Sequence, residues 1–381
     1  MPARTDASAV RVGVAGAVVI AVQFGMGRFV FGLTLPDLRS DPSLSPAGLS
    51  DPLLGLIASA TFAGFLAGIL GAPLLARRRG PRAPTTLGCA CGTIGGLVVF
   101  GAPHPAVLAA GAVLVGSAAG WVWAPYNDLI AAVAPPARRP TLLALVATGT
   151  SAGLVAVAMV ALVGSGWRTA WAAVGFASAA AALLNLRWVP RVAPPPCGRT
   201  DRVPWRPLLL PAAYSVGFYV TTTLFFTYAA ETLRLGGLPS QAAPALYAVI
   251  GVLGLVGLLT GRWCEGIGAR RVAASCLALI AVALAVLALA GDSWVAALAA
   301  AAVFAPGYMG GAAVIAIWTS SLAPERATQA MTSVLAVGAL AAVVGPTVVG
   351  ALLGSFELPT VLVGLALLAA AGAAALAARR V

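Results

Sequence analysis

Apolar runs of about twenty residues recur along this chain, separated by short breaks where arginine, proline, glycine and the acids collect. A helix needs roughly 20 apolar residues to cross a bilayer. Twelve segments meet that length, at about 12–35, 51–75, 84–102, 106–132, 141–164, 169–188, 208–230, 243–263, 271–290, 294–319, 328–353 and 358–378. Periodicity within them is weak, as expected of helices that are apolar nearly all round. The first run starts near Val12 and continues to Pro36, too long for the core of a cleaved leader, so it is expected to persist as the first span. The predicted fold is an all-α membrane protein of twelve transmembrane helices.

Composition strengthens this picture. Of 381 residues, 60% are hydrophobic and 9% charged, against about 25% charged in a soluble domain. A net charge of +12 could signal nucleic acid. With so few charges in so much apolar sequence, membrane topology accounts for it better, and no nucleic-acid partner is expected. All 23 basic residues are arginine. A phosphate-binding-loop lysine and a Schiff-base lysine are therefore excluded. The cysteines, Cys89, Cys91, Cys197, Cys264 and Cys276, show no metal spacing. They read as small packing residues, and no metal or cofactor is expected. His104, the only histidine, falls between two apolar runs.

The arginines also report orientation. If the N-terminus is cytoplasmic, twelve spans put 19 of them on the cytoplasmic side, including Arg77, Arg78, Arg79 and Arg82, and 3 outside, Arg39, Arg168 and Arg234. Arg28, the remaining one, lies well inside a span. This asymmetry predicts a multi-pass protein of the cytoplasmic (inner) membrane with both termini in the cytoplasm.

The halves repeat. Residues 187–206 form an arginine- and proline-rich connection that divides the spans into six and six. Residues 1–189 and 207–381 are expected to be two six-helix bundles, with 190–206 a cytoplasmic linker. Pro136 and Pro324 are 188 positions apart, as are Arg138 and Arg326, and Gly80 and Gly268. One offset holding at two separate loops indicates a pseudo-repeat.

Two six-helix halves, a glycine–arginine loop after the second and eighth spans, and a Pro-x-Arg loop after the fourth and tenth resemble the major facilitator superfamily. The second loop copy fits that family's pattern through Gly261, Glu265, Gly268 and Arg270. The first copy keeps Gly80 and Arg82 but has Pro73 and Arg77 where the pattern has glycine and an acid. The resemblance implies a gating role for Gly80, Arg82, Gly261, Glu265, Gly268 and Arg270. GMGRFVFGLTLP at 25–36, LSDPLLGLIASATFAGFLAG at 49–68 and GTSAGLVAVAMVALVGSGWRTAW at 149–171 look like the YbfB/YjiJ-like branch.

Candidate chemistry is sparse. A charge at a helix centre costs about 2.5–3.5 kcal/mol on insertion scales, and Arg28 lies roughly 7 Å from the middle of its span. It reads either as an anchor for an anionic solute, because guanidinium presents a fork that matches carboxylate, or as a structural pair with an acid or with helix carbonyls. Asp128, about two turns from the end of the fourth span, reads as a proton carrier or as a latch to arginines such as Arg138. Trp121, Trp123, Tyr126 and Asn127 precede it. Tyr214, Thr221 and Tyr228 recur at seven-residue spacing on the seventh span, and the tenth carries Tyr308 and Trp318. In the resembled fold spans one, four, seven and ten line a central cavity, so these residues are candidates for solute binding.

The expected function is secondary transport of a small organic solute by alternating access, with efflux driven by protons. An amphiphilic solute with an anionic group suits an aromatic, sparsely polar cavity. The expected partners are that solute, protons and the lipid bilayer, with the chain acting as a monomer. A membrane-embedded enzyme on the same fold is the rival reading, and a non-transporting receptor a second. The enzyme lacks support from any metal cluster or nucleophile–base pair in the sequence.

Overall fold

The computed structural model describes residues 2–194 and 205–378; the side chains of 2–7, 325 and 328 are outside the description. The middle of the expected linker, 195–204 with Cys197, therefore lies outside the described residues. Among the described residues, twelve helices are long and apolar enough to cross a membrane. In chain order, α1 to α6 are Ser8–Ser40, Asp51–Arg79, Arg82–Phe100, Pro105–Val133, Pro136–Val163 and Trp167–Trp188. Trp205–Leu235, Ala242–Ile267, Ala269–Ala290, Trp294–Leu322, Gln329–Leu352 and Leu358–Ala378 are α7 to α12.

Two compact units divide the chain. Unit 1 comprises residues 1–31, 41–48 and 60–200, and unit 2 comprises 32–40, 49–59 and 201–381. The later parts of α1 and the first turns of α2 thus belong to unit 2. Within unit 1, α3 packs on α4 and α6, and α1 on α5; within unit 2, α9 packs on α10 and α12, and α7 on α11. Each pairing recurs six helices later, so the repeat seen in the sequence is also a repeat of packing.

The loops repeat in conformation as well. Gly80 and Gly268 both have positive φ, +80° and +86°, a region open to glycine because it has no Cβ. Each donates its amide to the carbonyl four residues back, Gly80 to Ala76 at 2.8 Å and Gly268 to Cys264 at 3.0 Å. Pro136–Arg138 and Pro324–Arg326 are matching single 3₁₀ turns. Short-range geometry is dictated by short-range sequence, which is why the same offset reappears in three dimensions.

Two spans are less regular than their composition suggests. α1 is α-helical to Ile20, π-helical over Ala21–Met26, and resumes as α-helix at Val30 after a turn. π-Helical turns are rare and concentrate at functional sites. The break lies where α1 meets α5 most closely, since a Cβ on Gly25 would sit 2.6 Å from the Gly153 Cα. α8 carries a 3₁₀ segment, Gly254–Leu259, before its last helical turns, Thr260–Ile267. Weakly periodic apolar sequence gives no sign of either irregularity.

At the end of α1, the 41–48 loop is tied down inside unit 1. Trp167 donates its Nε1–H to the Asp41 carboxylate at 2.6 Å. Arg168 donates to the carbonyls of Phe100 at 2.7 Å and Ala102 at 3.0 Å, and to the Ser43 hydroxyl at 3.0 Å. The WR pair of the α5–α6 turn is therefore a clamp holding three connections of unit 1 together.

Candidate functional site

Arg28 lies in the turn that follows the π-helical segment and is only 9% exposed. Its guanidinium carbon is 4.0 Å from the ring centre of Phe65 and 5.1 Å from those of Phe24 and Phe62. An aromatic face attracts a cation through its quadrupole, by about 2 kcal/mol or more when desolvated. Three such faces hold the guanidinium in place. Phe24 also touches Trp123, with ring centres 5.2 Å apart. Trp123 is thus the α4 residue joined to the Arg28 cluster.

The rest of the α4 motif divides among different surroundings. Trp121 is half-buried and its ring covers Gly71 of α2, on another side of α4 from Phe24. Tyr126 is fully buried and donates its hydroxyl to Asn185 Oδ1 of α6 at 2.6 Å. Asn185 in turn donates to Thr85 at 3.1 Å and Thr86 at 3.0 Å of α3. That polar knot packs the interior of unit 1, so Tyr126 is placed by the structure in a hydrogen-bond network instead of at a surface. Asn127 and Asp128 are half-buried. Asp128 makes no ion pair or hydrogen bond among the described residues, Arg138 included.

Gln23, one turn before Arg28, was not singled out in the sequence. It is wholly buried, and its Oε1 accepts from Ser178 Oγ at 3.3 Å. Its Nε2 has no hydrogen-bond partner among the described residues. A lone amide in the apolar run AVQFGM was the available signal.

In unit 2 the candidate residues join one aromatic cluster. Tyr308 stacks on Phe218 at 6.0 Å and Phe304 at 5.7 Å, and meets Phe226 edge-on at 5.0 Å. Tyr214 stacks on Phe218 at 5.8 Å, with Trp318 at 6.3 Å. The seven-residue row on α7 is buried, but its members turn to different partners. Tyr214 donates to the Gly311 carbonyl at 3.1 Å, Thr221 to its own helix at Gly217 at 2.7 Å, and Tyr228 to Pro346 at 3.4 Å. The seven-residue recurrence on α7 thus carries a series of separate internal bonds.

Glu231, near the end of α7, is 2% exposed. Arg234 holds it with a two-pronged contact, Nε to Oε2 at 2.8 Å and Nη2 to Oε1 at 2.7 Å. Arg39 Nε lies 2.9 Å from the same carboxylate and its Nη2 pairs with Asp51. The sequence shows these as separate charges at three helix ends. Folding gathers them into one network within unit 2, where α1 approaches so closely that Gly32 lies against the Phe226 carbonyl.

At the loop positions, Arg82 donates to the Leu186 carbonyl at 2.6 Å and caps the end of α6. Gly261, Glu265 and Gly268 are exposed and Arg270 is half-buried. Glu265 makes no ion pair among the described residues.

The profile of the Major Facilitator Superfamily matches residues 17–265. No curated protein matches the chain by sequence. Among solved structures, a D-xylose–proton symporter superposes with a TM-score of 0.79 at 16% identity, covering 96% of this chain and 97% of that one. The xylose transporter XylE from E. coli, in a partially occluded inward open conformation, gives 0.77 at 13% identity, covering 97% of each. The nucleoside transporter NupG gives 0.72 at 12% identity, covering 97% of this chain and 99% of that one. At such identities the likeness is one of fold.

Proposed function

Because the chain belongs to the Major Facilitator Superfamily, and is accordingly a transporter and not an enzyme, we propose that it exports a small amphiphilic organic anion by proton-coupled alternating access. The observation that carries this reading is Arg28, a permanent cation within a span, faced by Phe24, Phe62 and Phe65. Stacking engages the faces of a guanidinium, whereas a carboxylate is recognised by its edge. The two uses are compatible, and the rings pre-orient the fork. Trp123 continues the aromatic surface next to Arg28, and Tyr308 and Trp318 belong to the cluster of unit 2. A cation among aromatic faces suits an apolar body with one anionic group. Tyr126, already bonded to Asn185, is proposed as packing support for the Arg28 region.

Asp128 is the proposed proton carrier, as the half-buried acid of α4 with no ion-pair partner among the described residues. The two moving bodies are proposed to be residues 1–189 and 207–381, within the inner membrane and with both termini cytoplasmic. The loops around Gly80 and Gly268 would gate that side. We assign the chain to the YbfB/YjiJ-like branch on its α1 and α5 motifs, and take a monomer as the working unit.

The test is flux and binding in proteoliposomes. Arg28→Gln should weaken binding of a carboxylate solute by about 2–5 kcal/mol, with Arg28→Lys intermediate and neutral analogues bound as well as by the parent. Asp128→Asn should abolish proton-driven accumulation and leave solute exchange. If Arg28→Gln lowers thermal stability and leaves affinity unchanged, Arg28 is a cross-brace and the anionic-solute reading fails.

A further inference from the structure

Unit 2 carries two adjoining concavities of opposite character. One is a groove of about 560 Å³ between α7, α11 and α12, lined by apolar residues from Val220 and Leu224 to Val344, Val348 and Leu365, with Thr360 as its polar exception. Its wall includes Val344, Val348, Leu352 and Phe356, four residues apart and 54%, 48%, 39% and 53% exposed. Val344, Val348 and Leu352 belong to α11, where that row faces hydrocarbon in a membrane-spanning helix, and Phe356 follows in the turn beyond it. Along α11 the groove runs from Ala341 to Leu352, roughly 16 Å at the rise of an α-helix. That is about half of the roughly 30 Å hydrocarbon core, the depth of one leaflet.

The second is a cavity of about 620 Å³ lined by Arg39, Asp51, Glu231, Arg234, Ser355 and Glu357 among others. The two meet at Phe356, which lines both. Charge complementarity then narrows the occupant. Arg39 pairs with Asp51 and with Glu231, and Glu231 is shared with Arg234, so two guanidiniums and two carboxylates offset one another. Arg234 contacts Glu231 through Nε and Nη2 and is 48% exposed in its side chain. Glu357 is exposed and makes no ion pair among the described residues. One guanidinium edge and one carboxylate therefore face the cavity, at the end of an apolar groove one leaflet deep.

We propose that this surface is a phospholipid site: one acyl chain lies in the groove, and a zwitterionic phosphoethanolamine head group occupies the charged cavity, phosphate toward Arg234 and ammonium toward Glu357. Guanidinium–phosphate contacts are strong and geometrically specific, and acyl burial supplies the remainder. The site is independent of what the protein transports. It adjoins the Arg39–Glu231 contact, so an occupying lipid would bear on the ion network that joins α1 to α7.

Glycines provide the test. A Cβ on Gly364 meets no atom within 4 Å, and on Gly345 its nearest neighbour is Leu224 at 3.6 Å. Both positions admit a Cβ, from which a leucine side chain would extend into the groove. Full-length purified protein would be titrated with phosphatidylethanolamine, phosphatidylglycerol and diacylglycerol and examined by native mass spectrometry. Gly364→Leu and Gly345→Leu should each lower phosphatidylethanolamine occupancy about fivefold or more. Glu357→Gln should erase the preference for phosphatidylethanolamine over phosphatidylglycerol. Photocrosslinking of the unsubstituted protein with a diazirine-bearing phosphatidylethanolamine should label peptides of 341–365. Unchanged occupancy in both leucine variants, diacylglycerol bound as tightly as phospholipid, or label confined to other helices would each overturn the proposal.

Discussion

Asp41 shows how a residue outside the spans comes to depend on its fold. Burial alone would push its carboxyl up, but hydrogen bonds from Ser43 and Trp167 and the nearby Arg168 charge outweigh it and hold the pKa below its usual value. A depressed carboxyl stabilises the fold above its unfolded pKa, about 3.9, and that contribution is lost as pH falls through the folded value. Asp41→Asn should therefore lower the unfolding temperature by a constant amount at pH 5–7, with the gap closing below about pH 4. A gap that persists unchanged at pH 3 would show that Asp41 acts through shape and not through charge. At this scale the sequence pointed to Arg28 because a cation in an apolar run stands out. It did not reveal the three phenylalanines around it, which come from α1 and α2 and look like any other apolar residues. Glu231 was visible only as an acid near a helix end. Its burial depends on Arg39, 192 positions earlier in the chain.

Helices in this protein are positioned by small residues more than by polar ones. Lipid tails are as apolar as leucine, so helices associate through close packing. Gly68 of α2 lies against Gly120 of α4, Gly64 against the backbone of Val113 and Ser117, and Gly116 against Thr61. The close approach of α1 to α7 depends likewise on Gly32, where any Cβ would overlap the Phe226 carbonyl oxygen. Gly32→Ala should cost about 3 kcal/mol, read as a fall in thermal stability. Gly217→Ala on α7, where a Cβ would meet nothing within 4 Å, should be neutral or gain up to about 1 kcal/mol from helix propensity. Equal stability of the two variants would remove the close approach as the reason for glycine at 32. The sequence carries the four-residue spacing of glycine at 64/68 and 116/120. It does not say which helix each pair faces.

For the whole molecule, the arginine distribution makes a prediction that no internal contact can supply. Nineteen arginines on one side of twelve spans against three on the other should place both termini in the cytoplasm. Reporter fusions at the C-terminus and at position 196 should both report cytoplasmic, and a periplasmic signal from either would break the assignment. The same distribution puts Arg39 and Arg234, two of the sparse minority, into the ion network of unit 2. Arg39 and Arg234 are thus engaged in pairing, which the count alone does not disclose.

The amino-acid sequence by itself determined the twelve spans and the six-plus-six repeat. These follow from run length, charge and turn residues, which act over a few positions. The positive-φ glycines at 80 and 268 and the paired turns at 136–138 and 324–326 belong to the same class. Tertiary structure decided the rotation of each helix about its axis, and with it the bonding of Tyr126 to Asn185, the ring cluster around Arg28 and the assembly of Arg39, Asp51, Glu231 and Arg234. A helix that is apolar all round carries no hydrophobic face to say which side turns inward. Close packing against partners distant in sequence sets that angle, and only the folded chain brings those partners together.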